Sequence, residues 1–180
     1  MDSIKEVKKA RKGNAAAFER LIIEHQVMMY RVAKTILPKD EDCADAIQET
    51  ILKAYEKLPT LREPAYFKTW LMRILMNESY QILRQRKKIV VLEEWGEQSS
   101  DDVGYEKIEI MELLETLPEE QCQLLKLFYI EGFSIEDLAS IYKVPENTIK
   151  TRLRRAREKM RTIMTKEKEE KTTWKNGKTK

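Results

Sequence analysis

Ser134-Ile135-Glu136-Asp137-Leu138-Ala139-Ser140-Ile141-Tyr142-Lys143-Val144-Pro145-Glu146-Asn147-Thr148-Ile149-Lys150-Thr151-Arg152-Leu153-Arg154-Arg155-Ala156-Arg157-Glu158-Lys159-Met160-Arg161-Thr162-Ile163 reads as two helices joined by a tight turn. Ser134 is placed to cap the first helix, with Asp137 three residues on as its capping-box partner. Ile135, Leu138 and Ala139 give that helix a small apolar stripe. Tyr142-Lys143-Val144 turns the chain, and Pro145 stands where a second helix can begin. Behind it Ile149, Leu153, Ala156, Met160 and Ile163 recur at steps of four and three, the stripe of a helix docked on a core. At 100° per residue, Asn147, Thr151, Arg154 and Glu158 fall opposite that stripe. Lys150 and Arg155 flank them, and Arg152 and Arg157 lie nearer the edges of the buried face. Between Pro145 and Arg161 there are seven basic residues and two acidic ones, a net of +5. A basic helix face is often only a solvated surface. Preceded by a short capped helix and a tight turn, it is what a DNA major groove accepts, so the stretch reads as a helix-turn-helix.

Upstream, Leu117-Pro118-Glu119-Glu120 opens another helix, with Pro118 near its first position. Leu124, Leu125, Leu127 and Phe128 are its apolar residues, and Gly132 can cap its end. Between Glu93 and Glu115 the sign of the charge reverses: nine acidic residues and one lysine, a net of −8. Gly96, Gln98, Ser99, Ser100 and Gly104 break any period there, so this is a flexible acidic linker. Before it come three long helices. Phe18, Leu21, Ile22, His25, Met28, Met29, Val32 and Ile36 mark the inner face of the first. Pro38 and the acidic run from Asp40 divide it from the second. Ala44, Ile47, Ile51, Ala54, Tyr55 and Leu58 form that helix's stripe, with Asp45, Gln48, Glu49 and Lys53 on its other face. A loop bounded by Pro59 and Pro64 leads to the third, with Phe67, Trp70, Leu71, Ile74, Leu75 and Ile82 inward and Arg84, Arg86, Lys87 and Lys88 at its end. Residues 4–12 form a short basic amphipathic segment ending at Gly13-Asn14. The expected architecture is all-α, with two small helical domains. Residues 1–90 form the first, 91–111 the acidic linker, 112–165 the second, and 166–180 a frayed tail in which Trp174 has no evident partner.

The totals agree with that division. A chain of 180 residues makes one large domain or two small ones. Only five glycines and five prolines, with 36% charged residues, make a helix-friendly and strand-poor composition. Cys43 and Cys122 lie far apart, and neither a CxxC pair nor a histidine cluster is present, so no disulfide framework or zinc site is expected. His25, the only histidine, lies on an apolar helix face and reads as a packed core residue. No nucleotide-cradling glycine loop, metal-ligand set or nucleophile–histidine constellation appears, which speaks against an enzyme and against a cofactor. The first residues hold no apolar signal segment and no run approaches the ~18 apolar residues of a membrane span, so the expected location is the cytoplasm.

The order of parts carries a resemblance. Asp45-Ala46-Ile47-Gln48-Glu49-Thr50-Ile51-Leu52-Lys53-Ala54-Tyr55 is followed by Phe67-Lys68-Thr69-Trp70-Leu71-Met72-Arg73-Ile74-Leu75-Met76-Asn77. Then come Leu117-Pro118, Gly132-Phe133-Ser134-Ile135-Glu136-Asp137-Leu138-Ala139 and Thr148-Ile149-Lys150-Thr151-Arg152-Leu153-Arg154-Arg155-Ala156-Arg157. This sequence resembles the sigma factors of bacterial RNA polymerase, in particular the small extracytoplasmic-function group, over roughly residues 5–163. The resemblance implies a factor that binds core polymerase, directs it to promoters and helps melt the −10 region. It implies that Asp45, Gln48 and Glu49 meet the clamp helices of the polymerase largest subunit. It implies that Leu61, Arg62, Tyr66, Lys68, Asn77 and Arg84 serve the −10 element, where opening needs cations for phosphates and a ring or amide for an extruded base. Phe67 and Trp70, at helical spacing, read as core instead. Thr148, Lys150, Thr151, Arg152, Arg154, Arg155 and Arg157 are placed at the −35 element; the helical wheel selects Lys150, Thr151, Arg154 and Arg155 independently, with Arg152 and Arg157 better placed for phosphates. The family docks its second domain on the flap of the second-largest subunit, threads its linker toward the RNA exit channel, and is commonly held inactive by a membrane-anchored anti-sigma factor. Pro145-Glu146-Asn147 departs from the family in lacking a glycine ahead of Thr148.

A helix-turn-helix repressor or activator with an unrelated helical sensor domain is the competing reading. Such regulators usually pair two half-sites as dimers. A single reading helix, no evident dimer seam, and a second basic, aromatic-bearing segment at Tyr66–Lys88 favour the sigma reading.

Overall fold

The computed structural model describes residues 3–90, 114 and 116–176, and among them helix is the only regular secondary structure. Residues 91–111, read as an acidic linker, lie outside the described residues, as do the side chains of Lys87, Lys88 and Trp174. The chain divides into two compact units.

The N-terminal unit contains α1 (Ser3–Arg11), α2 (Ala15–Lys34), α3 (Asp40–Lys57), two 3-10 turns (Leu58–Thr60 and Pro64–Tyr66) and α4 (Phe67–Val90). Asn14 caps α2, its Oδ1 accepting from the Ala17 N–H at 2.9 Å. At the other end, the Lys34 ammonium donates to the Pro38 carbonyl at 2.8 Å and pairs with Asp40, which fixes the corner into α3. Helix α2 packs on α1, α3 and α4, and α3 packs on α4. Leu21, Met29, Val32, Leu71, Met72 and Leu75 are fully buried where they meet. His25 is buried as expected, with Nδ1 2.8 Å from the Leu21 carbonyl and the ring edge-on to Phe67.

On two helices the buried face differs from the expected stripe. On α3 the buried residues are Asp42, Cys43, Ala46, Thr50 and Ala54; of the expected stripe Ala54 and, just past the helix, Leu58 are buried, Ile47 and Ile51 are half-buried, and Ala44 and Tyr55 are exposed. The inner face of α3 is thus made of small residues, which suit close helix packing, and Ile47 and Ile51 lie half-buried at its edge. The Thr50 hydroxyl is satisfied by the Ala46 carbonyl at 2.6 Å. On α4, Met72, Met76 and Ser79 join Phe67, Leu71 and Leu75 in the core, while Trp70, Ile74 and Ile82 are only half-buried. A helix that packs against both α2 and α3 needs a wider buried face than one stripe provides.

Buried carboxylates tie the elements together. Asp42, 3% exposed, accepts from Arg86 Nη2 at 2.6 Å, joining the first turn of α3 to the end of α4. Arg86, at the basic end of α4, commits its charge to this internal pair while staying exposed, and the hydrogen bond to Asp42 raises its pKa further. Glu6 of α1 accepts from Lys9 at 2.7 Å and from Arg20 Nε of α2 at 3.0 Å, and these bonds hold its carboxyl below the usual range. Both cysteines are buried and neither is in a disulfide; burial pushes the Cys43 thiol up to about 11, which keeps it unreactive.

The C-terminal part of the chain contains α5 (Glu119–Leu125), a π-turn (Lys126–Ile130), α6 (Ile135–Tyr142) and α7 (Glu146–Asn176). Leu127, Phe133, Leu138, Ile149, Leu153 and Ala156 are its buried centre. Pro118 caps α5 rather than occupying its first turn. Gly132, at φ +67°, ends the π-turn in the left-handed region. The capping box at Ser134 forms in both directions: the Asp137 N–H donates to Ser134 Oγ at 3.0 Å, and the Ser134 N–H donates to Asp137 Oδ2 at 3.0 Å. Helix α7 continues to Asn176, past the tail boundary expected at 166, because the sequence holds good helix formers and no glycine or proline before Gly177.

Between α6 and α7 the turn is closed by the Val144 N–H donating to the Ala139 carbonyl at 3.0 Å. That bond requires Lys143 at φ +56°, a left-handed conformation costly for a residue with a Cβ. Lys143→Gly is expected to stabilise the C-terminal unit by about 0.5–1 kcal/mol, read as a higher denaturation midpoint of the full chain, with Lys143→Ala close to neutral.

Candidate nucleic-acid interface

Burial of Ile149, Leu153 and Ala156 fixes the roll of α7 and turns Lys150, Arg154 and Arg155 to solvent. Thr148 and Thr151 are half-buried, and Thr151 Oγ1 donates to the Asn147 carbonyl at 2.8 Å. The charges on this face are lightly engaged. Lys150 lies 3.5 Å from Glu146 and Arg154 3.8 Å from Glu158, both exposed pairs one turn apart that contribute little. Arg152 is exposed nearer the buried edge. Arg157 is exposed at the edge of the buried face, as the helical wheel placed it: its Nε donates to the Leu153 carbonyl at 3.3 Å and it borders an apolar groove.

The segment expected at the −10 element divides into a loop and a helix face. Leu61 is 7% exposed and its N–H donates to the Leu58 carbonyl at 3.1 Å. It anchors the loop in the core and cannot itself present a surface to a base, contrary to its expected role. Arg62 is exposed, and Tyr66 is 53% exposed at the mouth of α4. Asn77 and Arg84, both exposed, are seven residues apart and so lie within about 20° of each other on α4. Lys68, half-buried in the first turn, projects about 180° from Asn77 and does not share that face.

Asp45, Gln48 and Glu49 border a recess of about 580 Å³ between α3 and α4. Inside it Lys53 lies 2.6 Å from Glu78 and 3.2 Å from Glu49, and these carboxylates raise its pKa, Glu78 foremost. The recess also contains Leu52, which is 61% exposed. Sequence reading passed over Leu52; its one signal was a large apolar residue standing among polar ones.

A second missed surface is the apolar groove of about 320 Å³ formed by Leu114, Leu125, Tyr129, Ile130, Met160 and Met164. The π-turn creates it. The Glu131 N–H reaches back five residues to the Lys126 carbonyl at 3.1 Å, widening the helix, and Tyr129 and Ile130 are left exposed. No sequence signal marks a π-turn within an apolar helical run.

Among the described residues no helix is long and apolar enough to cross a membrane. Two family models match the chain: sigma-70 region 2 over residues 21–89, and sigma-70 region 4 over residues 107–160. The RNA polymerase sigma factor SigV of Bacillus subtilis is 33% identical over 150 residues, covering 81% of this chain and 90% of that protein. The ECF RNA polymerase sigma-E factor of Escherichia coli K12 is 29% identical over 170 residues, 84% of this chain and 88% of that one. Among solved structures, the sigma factor RpoE in complex with the anti-sigma factor NepR, from Bartonella quintana, superposes with a TM-score of 0.70 at 25% identity, over 82% of this chain and 96% of its own. CnrH, solved with the cytosolic domain of CnrY, shares the fold with a TM-score of 0.69 at 22% identity, over 91% and 97%. With these matches spanning both helical units, the chain belongs to the extracytoplasmic-function sigma factors of the sigma-70 family.

Proposed function

We propose that this chain works without chemistry of its own, using binding energy to choose a promoter for core RNA polymerase and to open the −10 region. The observation that carries this reading is a pair of exposed surfaces bearing cations, one per unit. One is the cationic face of α7; the other is the loop at Arg62–Tyr66 with the Asn77–Arg84 face of α4. In the first, Arg154 and Arg155 read base edges of the −35 element, with Lys150, Thr151 and Thr148 beside them and Arg152 on the backbone. In the second, Tyr66 offers a stacking ring, Asn77 an amide for a base edge, and Arg62 and Arg84 charge for phosphates. The recess at Asp45, Gln48 and Glu49 receives the clamp helices of the largest subunit. The apolar groove at Tyr129 and Ile130 suits an apolar helix, which fits the flap of the second-largest subunit. An anti-sigma factor, membrane-anchored as is common in the family, is the inhibitor we expect, and RpoE bound to NepR supports that class of partner.

Transcription in vitro from a defined promoter with purified core tests the reading. Core alone is expected to give no specific transcript, and core with the chain a specific one, with permanganate-reactive thymines in the −10 region. DNA binding without stimulation of core would return the chain to the repressor or activator reading. Asp45→Lys reverses an exposed charge in the α3–α4 recess and is expected to weaken core binding by roughly 10- to 100-fold, the size of one adverse interfacial charge, with unchanged thermal stability. Undiminished core affinity in a competition assay removes Asp45 from that interface.

A further inference from the structure

Helix α1 carries Lys5, Lys8, Lys9, Arg11 and, just past its end, Lys12 against the single acid Glu6. Glu6 is committed to Lys9 and Arg20. Lys8, Arg11 and Lys12 stand on one side of α1 and, together with Pro59, line a recess of about 320 Å³ with no carboxylate among the described residues of its wall. Lys8 and Lys12 are exposed and join no ion pair among the described residues. Arg11 Nη1 donates to the Arg62 carbonyl at 3.2 Å, and α1 packs against both 3-10 turns that bound this loop. Lys8, Arg11 and Lys12 therefore stand beside the loop that carries Arg62 and Tyr66, four cations with Arg62 against the single exposed carboxylate of Glu63. Gathering like charges is unfavourable until an anion arrives, so such a cluster fits a polyanion better than a neutral partner.

We propose that Lys8, Arg11 and Lys12 hold backbone phosphates of the promoter strand whose base the Arg62–Tyr66 loop takes up. Helix α1 then forms a second wall of the −10 site. Phosphate contacts of this kind set register and carry no base information. Arg11 has two parts, since it lines the recess and also holds the backbone of the loop in place. This inference rests on the assignment of that loop to the −10 element.

The experiment uses holoenzyme made from core and either the wild-type chain or the Lys8→Gln/Lys12→Gln variant. Affinity for a promoter fragment with a pre-opened −10 region is measured across a series of salt concentrations. Each single-strand phosphate contact contributes about 0.7 to the slope of log K against log salt. Loss of two contacts is expected to reduce the slope by about 1.4 and to weaken binding roughly 10- to 30-fold at 0.1 M salt, with the −10 base preference unchanged. An unaltered slope overturns the proposal. So does lowered thermal stability with an unaltered slope, which would make these lysines only partners of the α1 dipole, and so does weakened binding to core without DNA, which would assign them to the polymerase. The wild-type holoenzyme separates the two levels: if it does not prefer the promoter fragment over one with a scrambled −10 segment, the loop assignment itself has failed.

Discussion

Replacing Arg154 and Arg155 together by alanine lowers the affinity of the holoenzyme for its −35 element by about 30- to 10⁴-fold and flattens its base preference there. The size follows from the contacts available. A bidentate arginine–guanine pair discriminates by about 1–3 kcal/mol, so two give about 2–6 kcal/mol. Neither side chain has a strong internal partner to return to: Arg154 reaches only Glu158 at 3.8 Å, on the open surface. Removing them should leave stability within about 0.5 kcal/mol of the wild type, as for other surface positions. Arg152 is the internal control. At the edge of the buried face it is placed for a phosphate, so Arg152→Ala should weaken all −35 sequences alike and reduce the salt slope by about 0.9. Binding to a set of fragments, each with one −35 base pair changed, distinguishes the two. Uniform weakening in the double variant, with preference intact, would mean that α7 grips the backbone and reads shape instead of base edges.

The C-terminal helix-turn-helix was legible because its signals are local. A cap at Ser134, a turn at Lys143 and a stripe from Ile149 each depend on residues within a few positions, and α7 has one neighbour side to satisfy. The N-terminal helices were legible in number and order but not in roll. On α3 the apolar pattern pointed to Ile47 and Ile51 as well as Ala54, yet the buried positions are Cys43, Ala46, Thr50 and Ala54, and the two isoleucines are half-buried. Backbone proximity between helices is a tertiary term that periodicity does not contain. The same term turned Leu52 outward into the α3–α4 recess. The surroundings of Leu61 and Arg86 were hidden for a related reason. Loop leucines and helix-end arginines are usually solvated, and only the fold reveals that one is a plug in the core and the other the partner of a buried Asp42. The π-turn that opens the apolar groove could not be anticipated from an apolar run that fits an ordinary helix equally well.

The adjacent aromatic residues Tyr66 and Phe67 give the second large effect, because they fall on opposite sides of the line between site and core. Phe67 is 2% exposed, edge-on to His25 with ring centroids 5.5 Å apart and 6.0 Å from Trp70. Phe67→Ala leaves a cavity at the junction of α2 and α4 and is expected to cost about 3–5 kcal/mol. That is a large share of the total stability of a domain this size, and its melting point should fall by on the order of 15–30 °C. Tyr66, with half its surface in solvent, should show almost none of that loss. Its alanine variant should instead weaken the open complex by about 1–3 kcal/mol, the value of one base stacked on an aromatic ring, or roughly 5- to 150-fold. Closed-complex binding should stay near wild type, since the ring has no partner until a base leaves the duplex. Melting curves of the two variants, set beside permanganate footprints of their holoenzymes, measure both quantities. A Tyr66→Ala chain that melts early but opens promoters normally would make Tyr66 a packing residue and would remove the stacking ring from the −10 site, leaving Asn77 as the side chain there with a means of holding an extruded base.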